Sequence, residues 1–134
     1  MIDADTQPRI LSSILTVAAG GAVGAVLRYG VSGVSRNLVG DSFPYGTLLV
    51  NVIGCLVLGI LGGYGIAKLP STVQLFVITG LLGSLTTFST FGWESTQLML
   101  DSKPVLAGMN IAVNVVIGIG AAILGYQLGK VVAA

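Results

Sequence analysis

Gly80-Leu81-Leu82-Gly83-Ser84-Leu85-Thr86-Thr87-Phe88-Ser89-Thr90-Phe91 decides how this chain folds. Thr86 to Phe91 hold four hydroxyls and two phenylalanines in six residues. The stretch lies inside a run with no charge from Ser71 to Trp93, long enough to cross a bilayer as a helix. Polar groups at membrane depth need partners, so they face protein or a watery path rather than lipid. The segment therefore reads as the wall of an ion pathway.

Composition agrees with a membrane location. Of 134 residues, 54% are hydrophobic and 8% charged, and the mean hydropathy is +0.96. A soluble domain carries about 25% charged residues. A net charge of +1 points to no nucleic acid and no acidic partner. With no histidine and the single Cys55, His-based acid–base catalysis, paired-thiol chemistry and most metal sites are excluded. No carboxylate pair or nucleophile–base arrangement is visible, so the chain does not read as an enzyme. Cys55 sits among apolar residues and reads as packing.

Working outward, four apolar segments predict four spanning helices over Ser12–Val34, Tyr45–Ala67, Ser71–Leu100 and Val105–Gly129. Charges and prolines mark the breaks: Arg36 to Pro44, Lys68-Leu69-Pro70 and Asp101-Ser102-Lys103-Pro104. Each proline sits at or near a helix start, where its missing N–H costs little. The loops are too short to hold another domain, so residues 1–134 read as one four-helix transmembrane domain. Met1–Arg9, acidic and then basic, is expected to fray. It does not resemble a signal peptide, because the following apolar run is too long and lacks a clear small-residue cleavage site.

Four spans place Arg9, Lys68 and Lys130 on one side of the membrane. Arg36 and Lys103 fall on the other, with Arg28 in the first helix toward that end. So small a bias gives the positive-inside rule little to act on. A unit of this size also has no second, inverted half. Both features suit an antiparallel homodimer of a chain that inserts in both orientations.

Glycines four apart, Gly20/Gly24, Gly59/Gly63 and Gly125/Gly129, predict close helix crossings. Arg28 either snorkels to the interface or makes an electropositive mouth that gathers anions. Asn51 in the second helix, and Asn110 and Asn114 on one face of the fourth, can bond between helices or donate to a passing anion. Gly83 and Ser84 before two threonines make a poor helix interior, so the third helix is expected to break near Gly83–Thr87. A break exposes carbonyls suited to a hard cation. Beyond it, a new helix start turns N–H groups toward an anion. Phe88 and Phe91, three apart, share a face and can offer positive ring edges. Alone they would read as lipid- or core-facing residues; the interleaved hydroxyls favour the pathway. Ser89/Thr90, Glu94 and Gln97 continue a polar stripe at helical spacing, although Glu94 with Trp93 can equally mark the membrane boundary.

Together these residues resemble the bacterial fluoride channel family, known as Fluc or CrcB. The resemblance covers almost the whole chain. It is carried by Gly20-Gly21-Ala22-Val23-Gly24-Ala25-Val26-Leu27-Arg28-Tyr29, by Gly46-Thr47-Leu48 with Asn51 and Gly54, and by Gly80-x-x-Gly83 running into Thr86–Phe91 with Glu94 after it. It implies a dual-topology antiparallel homodimer in the bacterial plasma (inner) membrane, with two pores at the subunit boundary. It implies that Phe88 and Phe91 form a ring box around fluoride and that Asn51 is the pore asparagine. Ser89, Thr90 and Glu94 would form a hydroxyl-and-carboxylate track. The carbonyls of Gly83 and Thr86 would hold a structural sodium ion that is not transported. Asn110 falls where some relatives carry a pore-facing tyrosine. The expected role is passive release of fluoride from the cytoplasm. The alternative is a small dual-topology multidrug exporter, which needs a titratable carboxylate near mid-membrane.

Overall fold

The computed structural model describes residues 6–134. The expectations for Met1–Asp5 lie outside the described residues, and from Thr6 onward the backbone is already helical. Helix α1 runs Thr6–Val39 and α2 Tyr45–Tyr64. The third span, Ser71–Leu100, is composite. It comprises α3 (Ser71–Val73), a wide-turn π-helical stretch Gln74–Leu82, a short α4 (Gly83–Leu85) and, after a break, α5 (Phe88–Leu100). Helix α6 spans Pro104–Ala133. Among the described residues four helical spans are long and apolar enough to cross a membrane, and the chain is an all-α, multi-pass integral membrane protein.

Helix α1 starts at Thr6, six residues before the expected Ser12, and three helix ends also differ from the sequence expectation. Helix α1 continues past Val34 and stops only at Gly40, whose φ of +80° no β-substituted residue adopts cheaply. Arg36 therefore belongs to the last turn of α1, not to a loop. Helix α2 ends early, at Tyr64, because Gly65 takes φ +106° and leads into a 3₁₀ turn, Ile66–Lys68. Helix α6 runs four residues beyond Gly129.

Packing follows the glycine pairs. The most extensive helix contact is α2 with α6. There a β-carbon on Gly59 or Gly63 would meet the carbonyls of Ala122 and Tyr126, and one on Gly125 or Gly129 those of Leu56 and Ile60. The second contact sets α1 against the π-helical stretch. The carbonyls of Phe76 and Leu81, five residues apart in the wide turn, sit over Gly20 and Gly24, four apart in α1. Val50, Leu82 and Leu85 form the small buried core. No more than 22% of any span's most apolar window is buried, so most apolar surface faces outward, as lipid requires.

Candidate functional site

The third span breaks at two residues. Thr86 (φ −81°, ψ 155°) and Thr87 (φ −153°, ψ 118°) are extended, whereas Gly83 to Leu85 remain helical. The expected break near Gly83–Thr87 is thus confined to its C-terminal end. Thr86 ties its hydroxyl back to the Leu82 carbonyl at 2.9 Å, and its methyl fits only because Gly54 of α2 has no side chain. Thr87 starts α5 as its N-cap: its Oγ1 accepts from the Thr90 N–H at 3.2 Å. The same hydroxyl donates to Thr90 Oγ1 at 3.0 Å and lies 3.4 Å from Ser89 Oγ.

An unbroken helix would close the Thr87 N–H onto the Gly83 carbonyl. Here that N–H donates to Asn51 Oδ1 instead, at 2.9 Å. Among the described residues no backbone hydrogen bond crosses the break to the Gly83 or Thr86 carbonyl. Gly83 is also exposed at the surface of the chain. Both carbonyls fit the expectation of hard-cation ligands, but one chain supplies two oxygens where such a cation takes about six.

Asn51 connects the break to α6. Its Nδ2 donates to Asn114 Oδ1 at 3.1 Å and lies 3.4 Å from the Thr87 carbonyl. Asn114 Nδ2 donates to the carbonyl and Oδ1 of Asn110, at 3.0 and 2.9 Å. Asn110, fully buried, donates to Ser95 Oγ at 2.9 Å, and Ser95 donates to the Phe91 carbonyl at 2.9 Å.

Two cavities are stacked along the α2–α5 side. The inner one, about 400 Å³, is lined by Asn51, Gly83, Thr86, Phe88, Phe91 and Asn114 among others. The two rings lie 5.6 Å apart at 54°. Phe88 is 84% exposed. The outer cavity, about 420 Å³, is lined by Arg36, Asp41, Thr47, Trp93, Glu94 and Lys103 among others. Thr47 donates to Glu94 Oε1 at 2.8 Å, while Oε2 is buried with no partner among the described residues. Thr47 and Asn51 are one turn apart on α2, and Phe91 and Glu94 nearly one turn apart on α5, so one polar stripe joins the cavities.

The structure brings Asn51, Phe88, Phe91 and Asn114 together and puts Glu94 in the adjoining cavity. Ser89 and Thr90 border neither lining but surround the Thr87 cap. Asn110 lies behind the inner cavity, fully buried. Arg28 is half-buried and lines neither cavity; the cations at the outer one are Arg36 and Lys103. Sequence reasoning missed Thr47 and Ser95. Thr47 had a signal, standing four residues before Asn51 on the same face.

A broken spanning helix whose released polar groups line a cavity between helices defines an integral membrane protein with an internal polar path. The family profile described as "CrcB-like protein, Camphor Resistance (CrcB)" matches residues 15–126. The chain is 42% identical over 119 residues to the fluoride-specific ion channel FluC of Shewanella halifaxensis, covering 88% of this chain and 96% of that one. It is 42% identical over 122 residues to the protein of the same name from Dehalococcoides mccartyi, covering 90% and 94%. With that of Syntrophotalea carbinolica it shares 44% identity over 119 residues, covering 87% and 97%. The chain belongs to the CrcB family.

Proposed function

We propose that this protein is a passive, fluoride-selective channel that lets fluoride leave the bacterial cytoplasm down its gradient. One observation carries the reading: an uncharged inner cavity bordered by a broken helix, an amide and two phenylalanine rings. Fluoride is small and strongly hydrated, so a pore has to replace its water with closely placed donors. An amide N–H, hydroxyls and ring edges do so without a fixed positive charge that would trap the ion. Binding is then strong enough to dehydrate the ion and weak enough to release it.

The ion's route in this reading passes Glu94 and Thr47 in the outer cavity, where Arg36 and Lys103 are each paired with a carboxylate, Asp41 and Asp101. It then reaches Asn51, Phe88 and Phe91, while Ser89 and Thr90 support the path from behind, at the Thr87 cap. The strong exposure of Phe88 and Gly83 supports a second, antiparallel copy of this chain that completes the path. Such a copy doubles the carbonyls of Gly83 and Thr86 to four, most of the about six oxygens that a hard cation such as a structural sodium ion takes. Sodium held there would pin the two breaks together and take no part in conduction. Relatives named as ion channels give no support to the exporter alternative or to an enzyme.

Purified protein in liposomes loaded with potassium fluoride or potassium chloride tests the reading. With valinomycin added, fluoride is expected to leave rapidly and chloride hardly at all. Equal efflux of both ions would remove the selectivity, and efflux driven only by a proton gradient would favour the exporter.

A further inference from the structure

The hydrogen-bond chain behind the inner cavity has a direction, and backbone groups fix it. At one end the Thr87 N–H can only donate, so Asn51 must turn Oδ1 toward it. Asn51 then turns its NH₂ to Asn114, which must present Oδ1. That leaves the Asn114 NH₂ facing Asn110, whose backbone carbonyl can only accept. Asn110 meets it with Oδ1 as well and points its own NH₂ at Ser95. The Ser95 hydroxyl then spends its proton on the Phe91 carbonyl, the acceptor at the far end. Flipping any one amide would oppose two donors or two acceptors. In a buried site each such conflict leaves a polar group unpaired, at about 1–3 kcal/mol.

The direction decides which amide can bind an anion. Both Asn114 contacts made through Nδ2 are short, 3.0 and 2.9 Å, and point away from the cavity. Asn51 has one N–H on Asn114 and only a long 3.4 Å approach to the Thr87 carbonyl for the other. Its second hydrogen is therefore the side-chain amide proton left for an ion.

We infer that Ser95 and Asn110 are positioning residues that, through Asn114, hold Asn51 with an N–H turned to the inner cavity, while Asn114 itself acts as an acceptor and gives the ion no proton. This deepens the channel reading and rests on it. The relay touches both ends of the first turn of α5, Thr87 and Phe91, so it also sets Asn51 and the Phe91 ring relative to each other.

The test uses the full-length protein in liposomes. Parent protein without fluoride efflux would defeat the channel reading itself, separately from this inference. Ser95→Ala combined with Asn110→Leu removes both relay partners. Asn114 keeps one N–H on the Asn110 backbone carbonyl and loses Asn110 Oδ1 for the other, at a half-buried side chain rather than in the core. The double variant is expected to elute and melt like the parent yet lose about tenfold in fluoride efflux, the size of a coupled pair in one network. In an Asn51→Ser background, which lacks the amide being oriented, the same pair is expected to cost nothing further. Unchanged efflux in the double variant, or the same fractional loss in both backgrounds, overturns the inference. If the double variant does not assemble, or Asn51→Ser is too slow to compare, single substitutions at Ser95 decide. Ser95→Thr keeps the hydroxyl and most efflux, whereas Ser95→Ala loses it; equal efflux in these two also overturns the inference.

Discussion

Phe88 and Phe91 illustrate how two like residues three positions apart carry different structural duties. Phe88 is 84% exposed, and Phe91 is half-buried beside Asn51 and Asn114 in the inner cavity. Replacing either with isoleucine nearly keeps volume but removes the positive ring edge. Phe88→Ile should leave the protomer's stability within about 0.5 kcal/mol of the parent, as exposed sites do. Phe91→Ile should cost more, about 1 kcal/mol, because a flat ring is exchanged for a branched chain in packed surroundings. Both are expected to cut fluoride efflux sharply in liposomes. Parent-like efflux from both would make the rings packing residues and move the ion path to the asparagine side. The three asparagines were legible as polar groups at membrane depth. Their mutual bonds were not, because Ser95 and Asn110 lie on separate helices and meet only through the turn at Asp101–Lys103. The Thr47–Glu94 bond, 47 residues apart, was hidden for the same reason.

At the scale of elements, the four spans and the break in the third follow from apolar length and from threonines that disfavour helix. The π-helical stretch Gln74–Leu82 had no such signal: its composition, rich in apolar residues with one glycine, suits an α-helix equally. Its wide turn becomes intelligible only beside α1, where the Phe76 and Leu81 carbonyls settle on two glycines. Glycine spacing did forecast the crossings, and the structure separates glycines that are needed from those that are not. Gly63→Ala would set a methyl against the Tyr126 carbonyl and 2.9 Å from the Lys130 nitrogen, with no flexible atom to yield. It is expected to cost about 1–3 kcal/mol and to lower the melting temperature in detergent. Gly120→Ala meets nothing within 4 Å. It should leave melting equal or raise stability by about 0.5–1 kcal/mol through helix propensity. The reverse order of the two variants would show that the α2–α6 seam is looser than its glycines imply.

Across the whole molecule, the charges divide as an up-and-down bundle requires. Arg36 and Lys103 meet at the outer cavity. Lys68 and Lys130 lie over Tyr64 and Tyr126 at the opposite end, where α2 and α6 also touch. Cations at both ends leave the positive-inside rule little bias to act on. Single cysteines at Ser42 and Ser71, in a Cys55→Ala background, report this directly, since both positions are exposed and belong to opposite ends. A membrane-impermeant thiol reagent applied to intact cells is expected to label a fraction of each. Labelling confined to one of them would mean a single orientation and would remove the antiparallel dimer. In the proposed dimer, the surface to be covered includes Phe88 and Gly83, which the lone chain leaves exposed.

Helix α1, with 34 residues, is about 51 Å long. Even tilted by about 40°, the upper end for spanning helices, it would stand about 39 Å tall against about 30 Å of hydrocarbon. Leaning cannot absorb the surplus, so several residues must stand among the lipid headgroups. At the C-terminal end those residues include Arg36 and Asn37, which are exposed and suit that layer. Because α1 is seated on the third span at Gly20 and Gly24, a change in acyl-chain length moves the lipid boundary along this overhang rather than the helix itself. Hydrophobic mismatch is then taken up at the rim of the molecule, and the two extended threonines near its middle are spared the strain of a changing bilayer thickness.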